Sequence, residues 1–222
     1  DIGSHCFDPY TCEFTSHCWK HIPDYSIYDL IRGSGKKIAA LNDMGVLKIK
    51  DIPDDFSLTP AQEIQVEVER SRKPYIDKDA VAGFLDRLST PIYFLDFETI
   101  NPAIPPYDGV RAFQPITFQC SIHLLIRIGA KLEHFEFLGD GKGDPRPGVI
   151  SCLLENIGAE GTILAYNAAF ECSRLDELAE AFPRQAKRLE SIRSRIVDLA
   201  EPFRKCQFVH PKFHGKWSIK SV

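Results

Sequence analysis

The spacing of apolar and polar positions changes character once along this chain, near residue 91. Before it, apolar residues recur at helical intervals. A short amphipathic run at 27–31 leads through Gly33-Ser34-Gly35 to Ile38, Leu41 and Met44 on one helical face, with Gly45 suited to close that helix. Thr59-Pro60 then carries the signature of a capped start, and the spacing predicts a helix from there to about Arg72. After residue 91 the run Ile92-Tyr93-Phe94-Leu95-Asp96-Phe97-Glu98 is nearly all apolar and rich in β-formers, which predicts a central strand buried on both faces. Strands are expected at 116–128 and 132–138, turning at Gly129-Ala130, then a helix at 147–157, a strand at 162–166 and a helix at 169–182.

Three strands, a helix, a strand and a helix are the order of the RNase H-like fold, in which the first strand takes the centre of the sheet. The expected fold class is therefore α/β: an RNase H-like mixed sheet with flanking helices, preceded by a small helical module and a Cys-rich N-terminal segment. The corresponding divisions are 1–22, 23–90 and 91–222. A helix, a glycine turn, a helix and a Gly-Val step in the middle portion resemble a helix-hairpin-helix, whose turn amides grip phosphates; a helical spacer is the other reading.

With 222 residues, 44% hydrophobic, the chain is long enough for a substantial core, which argues against overall disorder. It contains no apolar run of the ~20 residues a membrane span needs and opens without the basic and apolar regions of a signal peptide. A cytoplasmic location without a membrane partner is expected. The first residue is not Met, and the sequence stops at Lys220-Ser221-Val222 where the pattern opens another element, so a piece of a longer protein is expected. The net charge of −4 does not suit a general nucleic-acid coat. Its distribution is more informative, because residues 184–222 hold ten Lys/Arg against three acids. That stretch reads either as a track for a phosphate backbone or as a solvated basic face.

Candidate chemistry centres on acids. Asp96 and Glu98 are two apart, so on a strand they project from one face, where they can share a divalent ion. Carboxylates on a buried strand are costly without a metal or cationic partner. Glu171 falls in the first turn of the helix that follows the 162–166 strand, where the helix dipole favours an anion.

These residues resemble the DEDD (DnaQ-like) 3′–5′ exonuclease superfamily. Leu95-Asp96-Phe97-Glu98-Thr99 is similar to its first motif, and Asn167-x-x-Phe170-Glu171 to its second, with Glu171 in place of the usual Asp. Ile196-Val197-Asp198-Leu199 looks like an intermediate step that is positional in the family. The resemblance implies hydrolysis of phosphodiesters with two Mg²⁺ or Mn²⁺ held by Asp96, Glu98, Glu171 and a fourth acid. The third motif has no match before Val222, so that acid and the general base are expected beyond it. Thr99, Asn167 and Phe170 are the implied substrate-binding residues. The implied partner is nucleic acid, with DNA the expected form. The loop 101–114, with Tyr107, Arg111 and Phe113, reads as a clamp for a terminal nucleotide or as a rigid surface loop.

The cysteines divide into two kinds. Cys120, Cys152, Cys172 and Cys206 sit apart in apolar or helical surroundings and read as small buried hydrophobes of a reducing compartment. Cys6, Cys12 and Cys18 fall six residues apart, with Trp19 at the end, a pattern open to metal ligation, free thiols or one disulfide. The string around them resembles the tail of RecB-like nucleases, in which three such cysteines and one upstream hold a [4Fe–4S] cluster. More narrowly, residues 1–222 resemble a bacterial domain of unassigned function that follows RecB-like nuclease domains. The rival to a nuclease is a non-catalytic nucleic-acid binding module of a larger RecB-like enzyme, and a scaffolding domain stapled by the cysteines is a third reading.

Overall fold

The computed structural model describes residues 2–222 and divides into two compact units: residues 82–201, and residues 1–81 together with 202–222. The final segment, residues 202–222, groups with the N-terminal residues.

The first unit to consider is the sheet. Its five strands are β1 (Ile92–Ile100), β2 (Ile116–Leu125), β3 (Glu133–Leu138), β4 (Thr162–Ala165) and β5 (Ile196–Asp198), in the order β3-β2-β1-β4-β5. β1 pairs antiparallel with β2 and parallel with β4; β2–β3 is antiparallel and β4–β5 parallel. This is the mixed α/β sheet of RNase H-like order, with the first strand central. Three helices accompany it: α1 (Arg146–Asn156), α2 (Ala169–Ala181) and α3 (Ala186–Arg193). Alternate residues of β1, namely Tyr93, Leu95 and Phe97, join Cys120 and Ile122 of β2 and the apolar stripes of all three helices in one core. Period-2 alternation on the strands and period-3.6 stripes on the helices meet there, which is why the sequence pattern found these elements.

The opposite face of β1 departs from expectation. Asp96 and Glu98 are exposed, so the strand is not buried on both faces along its length. Ile92, buried, and Phe94, half-buried, share that face and supply the apolar continuity that suggested otherwise. The cost expected for burying the two acids therefore does not arise.

The second unit is helical, as the spacing of residues 25–90 predicts. Gly35–Asp43 is a helix whose cap Ser34 accepts from the Lys37 amide, and Pro60–Ser71 opens on a reciprocal capping box between Thr59 and Gln62. The run at 27–31 is only a 3₁₀ turn, Ile27–Asp29. Ile27, Leu41, Ile49, Ile52 and Val66 form the core of this unit. Tyr75–Ile76 pairs antiparallel with Phe208–Val209, which ties the final segment in. Among the described residues no helix is long and apolar enough to cross a membrane.

Candidate active site

The acids meet at the carboxyl ends of the parallel strands. Phe94 of β1 stands opposite Leu164 of β4, and Ala165 opposite Asp198 of β5. Two residues past Phe94 is Asp96; two past Leu164 the chain leaves the sheet at Tyr166-Asn167 and enters α2. β1 is also where the strand order reverses, with β2 and β3 on one side and β4 and β5 on the other. Ligand sites of open α/β sheets lie at such switch points, beyond the strands' carboxyl ends.

Asn167 adopts a left-handed conformation, φ 61°, which Asn tolerates better than most residues. Its amide donates to Asp198 Oδ1 at 2.9 Å, and the same oxygen accepts from the Ala200 amide at 2.9 Å. The turn is thereby fixed, and Glu171 follows in the first turn of α2.

Glu171 is the most unusual group of the site. It is 3% exposed, and its Oε2 has no hydrogen-bond partner. Burial pushes its carboxyl up to about 7; a bond from its own backbone opposes that, while the charges of Asp96 and Asp198 add to it. Arg174, one turn on, offsets this only in part. Its Nη2 donates to Glu177 at 2.7 Å, and its guanidinium lies 4.9 Å from the centre of the Phe170 ring.

The structure thus brings Asp96 and Asp198 within electrostatic reach of Glu171. Glu98 lies on the Asp96 face, one step nearer the end of β1. There Glu98 pairs with Gln119 and Thr99 with Thr117, so Phe118 is an extra residue on β2, a bulge of the kind that re-aims side chains beside functional sites. Thr99 is half-buried; Asn167 and Phe170 are exposed. The resemblance implies a positional role for Asp198; its two amide bonds hold the turn, and it is also, after Asp96, the second acid felt at Glu171, which a three-residue strand too short to read by period did not signal.

On the same face Asp96 stands opposite Ser121, and Phe94 opposite His123. The rings of His123 and His134 stack at 4.3 Å, and Ser121 Oγ lies 3.0 Å from His134 Nε2. In the loop 101–114, the Phe113 amide donates to the Pro102 carbonyl at 2.9 Å, tying the loop's two ends to each other, and Tyr107 in its middle donates to the Gly143 carbonyl at 2.9 Å.

The donors at this site are all oxygen, mutually repelling, and include one buried oxygen without a partner, a chemistry that fits a hard divalent cation. Among the described residues no three His, Cys, Asp or Glu are already gathered as an ion cage.

The basic stretch divides. Arg188 donates to the Leu154 carbonyl, Arg195 to the carbonyls of Gly158, Glu160 and Gly161, and Arg193 pairs with Asp176 at 2.6 Å, so these three are engaged inside the sheet unit. Of the cysteines, Cys6 is buried and Cys12 and Cys18 exposed, all as free thiols, so the disulfide reading is not realised. The Trp19 side chain, then the Gly3 backbone, pull the Cys6 thiol below its ordinary value. Cys120, Cys152 and Cys206 are buried, as expected, and Cys172 is half-buried.

Residues 93–218, more than half of the chain, match a family described as a domain of unknown function (DUF2779). Over 212 residues the chain is 31% identical to an uncharacterized protein, UU173, of Ureaplasma parvum serovar 3, covering 89% of this chain. The chain spans about 30% of the length of that relative. No solved structure matches it.

Proposed function

The chain belongs to the family of that domain of unknown function (DUF2779), and from this premise we propose that it hydrolyses phosphodiester bonds of nucleic acid as a metal-dependent 3′–5′ exonuclease of the DEDD type. The observation that carries the reading is Glu171: a buried carboxyl whose Oε2 has no hydrogen-bond partner, within electrostatic reach of two further acids at a switch point of an RNase H-like sheet. Perturbed acids in such a place are a mark of functional sites.

Asp96, Glu98 and Glu171 would hold Mg²⁺ or Mn²⁺, with Asp198 fixing the turn from which Glu171 departs. When bound, the ions supply an activated water and stabilisation of the leaving oxygen. The protein's own part is placement: the register of β1 against β4 sets the distance between the strand acids and the helix acid, and Asn167 and Phe170 border the place where the 3′-terminal nucleotide would lie. Cys6, Cys12 and Cys18 would in the same reading donate three thiolates to an iron–sulfur cluster, which iron and sulfide analysis of anaerobically prepared protein tests; protein free of both removes that part.

The main test is calorimetric titration with Mn²⁺, with Asp96→Asn and Glu98→Gln beside the parent chain, while the release of a 3′ label from single-stranded DNA is followed. Carboxylate-dependent ion binding together with label release is the expected result. A folded protein that binds DNA and neither takes up Mn²⁺ nor releases label would be a non-catalytic binding module instead.

A further inference from the structure

The helical unit contains a second feature that the acid site does not use. The segment His210-Pro211-Lys212-Phe213-His214-Gly215-Lys216-Trp217 alternates cationic and aromatic residues, and it folds over a cavity of about 110 Å³. Phe203, Phe208 and Phe213 form a triangle on one wall, their ring centres 5.7, 5.7 and 6.0 Å apart. Trp217 stands 38% exposed at the cavity, with the Arg204 guanidinium 6.0 Å from its ring centre. Arg32 and Lys216 are exposed and complete the lining from two different parts of the chain. Arg32 is felt at the buried Cys206 thiol, which burial pushes up and the Arg32 charge draws back down, so the positive potential reaches inward.

The rim is held in place. Gly215 has φ 71°, and a Cβ there would stand 2.4 Å from Gln65 Nε2 and 2.9 Å from the Asp29 carbonyl. Gln65 is itself locked, donating to Tyr25 at 2.8 Å and accepting from the Ile31 amide at 2.8 Å. The segment therefore lies directly on the helix Pro60–Ser71, and Ile31, whose neighbour is Arg32, is tied to the same glutamine.

Aromatic rings beside three cations match one ligand chemistry, a planar base joined to a phosphate. Bases stack on aromatic rings whatever their identity, while Arg and Lys meet the phosphate. An apolar ligand would not use the exposed Arg32 and Lys216, and a bare anion would not use the rings. We propose that this cavity binds a nucleotide, either free or as one unit of a single strand, with Trp217 and Phe213 against the base and Arg32, Arg204 and Lys216 toward the phosphate. This goes beyond the hydrolytic reading and does not depend on it, because the site lies in the other compact unit and calls for no metal.

The test is fluorescence anisotropy of a labelled oligothymidylate with the full chain in EDTA, with thymidine monophosphate and inorganic phosphate as competitors. Arg32→Gln and Lys216→Gln, both at exposed positions, should each weaken binding and reduce the slope of log K against log salt by about 1. Trp217→Ala should weaken it roughly tenfold with little change in that slope. Displacement by thymidine monophosphate assigns the pocket to free nucleotides, and displacement only by strands assigns it to single-stranded nucleic acid; either supports the site. Binding undiminished in all three variants, or phosphate competing as well as the nucleotide, would overturn it. Because no divalent ion is present, failure here leaves the hydrolytic reading standing, and failure of label release leaves this one standing.

Discussion

Asn167 and Asp198, from the ends of neighbouring parallel strands, are joined by a 2.9 Å bond from backbone amide to carboxylate, and this bond sets where helix α2 begins. The same Oδ1 holds the Ala200 amide, so one side chain fixes two loops. Asp198→Ala removes both bonds and should lower the unfolding free energy by roughly 1–3 kcal/mol. Asp198→Asn keeps an acceptor oxygen and should cost clearly less, measured by urea denaturation. Equal losses in the two variants would show that the charge, not the acceptor, matters there.

Glu171 gives the protein a particular pH dependence. Its carboxyl is pushed from 4.5 up to about 7 in the folded chain, chiefly by burial. Between those values the folded state binds the proton and the unfolded state has lost it, so this group's contribution to stability is greatest below about 4.5, falls as pH rises through the window, and levels off above about 7. A shift of that size corresponds to a slope totalling on the order of 3 kcal/mol. Glu171→Gln should remove this component, gaining stability over the parent at pH 8 and little at pH 4.5. Denaturation curves in EDTA at the two pH values measure it; parallel profiles for both proteins would refute the assignment.

Much of the fold is legible in the sequence. Strong runs such as Ile92 to Phe97, and the Thr59-Pro60 cap, announce their elements because burial and capping leave period and residue type in the sequence. The short pairings left no such trace. Ile196–Asp198 and Phe208–Val209 are three and two residues long, below any readable period, so the fifth strand and the allegiance of the final segment to the helical unit came only from tertiary pairing. Asp96, Glu98 and Glu171 were visible as a set by their resemblance to a motif. Asp198 as a member of their electrostatic neighbourhood was not, since its place depends on the β4–β5 register. The basic stretch misled in part, because charge composition does not distinguish an arginine that caps carbonyls from one that faces solvent.

Arg195 is the clearest case of such a cap. Its guanidinium donates to the carbonyls of Gly158 at 2.8 Å, Glu160 at 2.6 Å and Gly161 at 3.2 Å, closing the loop that leads into β4. Lysine carries the same charge and cannot span three acceptors with a planar fork. Arg195→Lys should therefore lose roughly 1–3 kcal/mol of stability, close to the loss for Arg195→Met. A thermal or urea midpoint for the lysine variant equal to the parent's would show that charge alone suffices.

The two glycines that flank the core make a sharper comparison. At Gly148, in α1, an added Cβ would stand 2.2 Å from the Cζ of Phe137, the far edge of a half-buried ring. At Gly161, where φ is 91°, it would stand 2.0 Å from the Pro91 carbonyl oxygen. That carbonyl also accepts the Thr162 amide at 3.1 Å, so the approach is part of how β4 enters beside β1. A ring can tilt, at the roughly 1–3 kcal/mol that overpacking costs. A backbone that is both strained in φ and bonded in place has no such freedom. Gly161→Ala should accordingly destabilise by more than about 3 kcal/mol and Gly148→Ala by less, read as urea midpoints of the two variants. The reverse order would mean that β4 can shift along β1, and with it the spacing between Asp96 and Glu171 on which the proposed site depends.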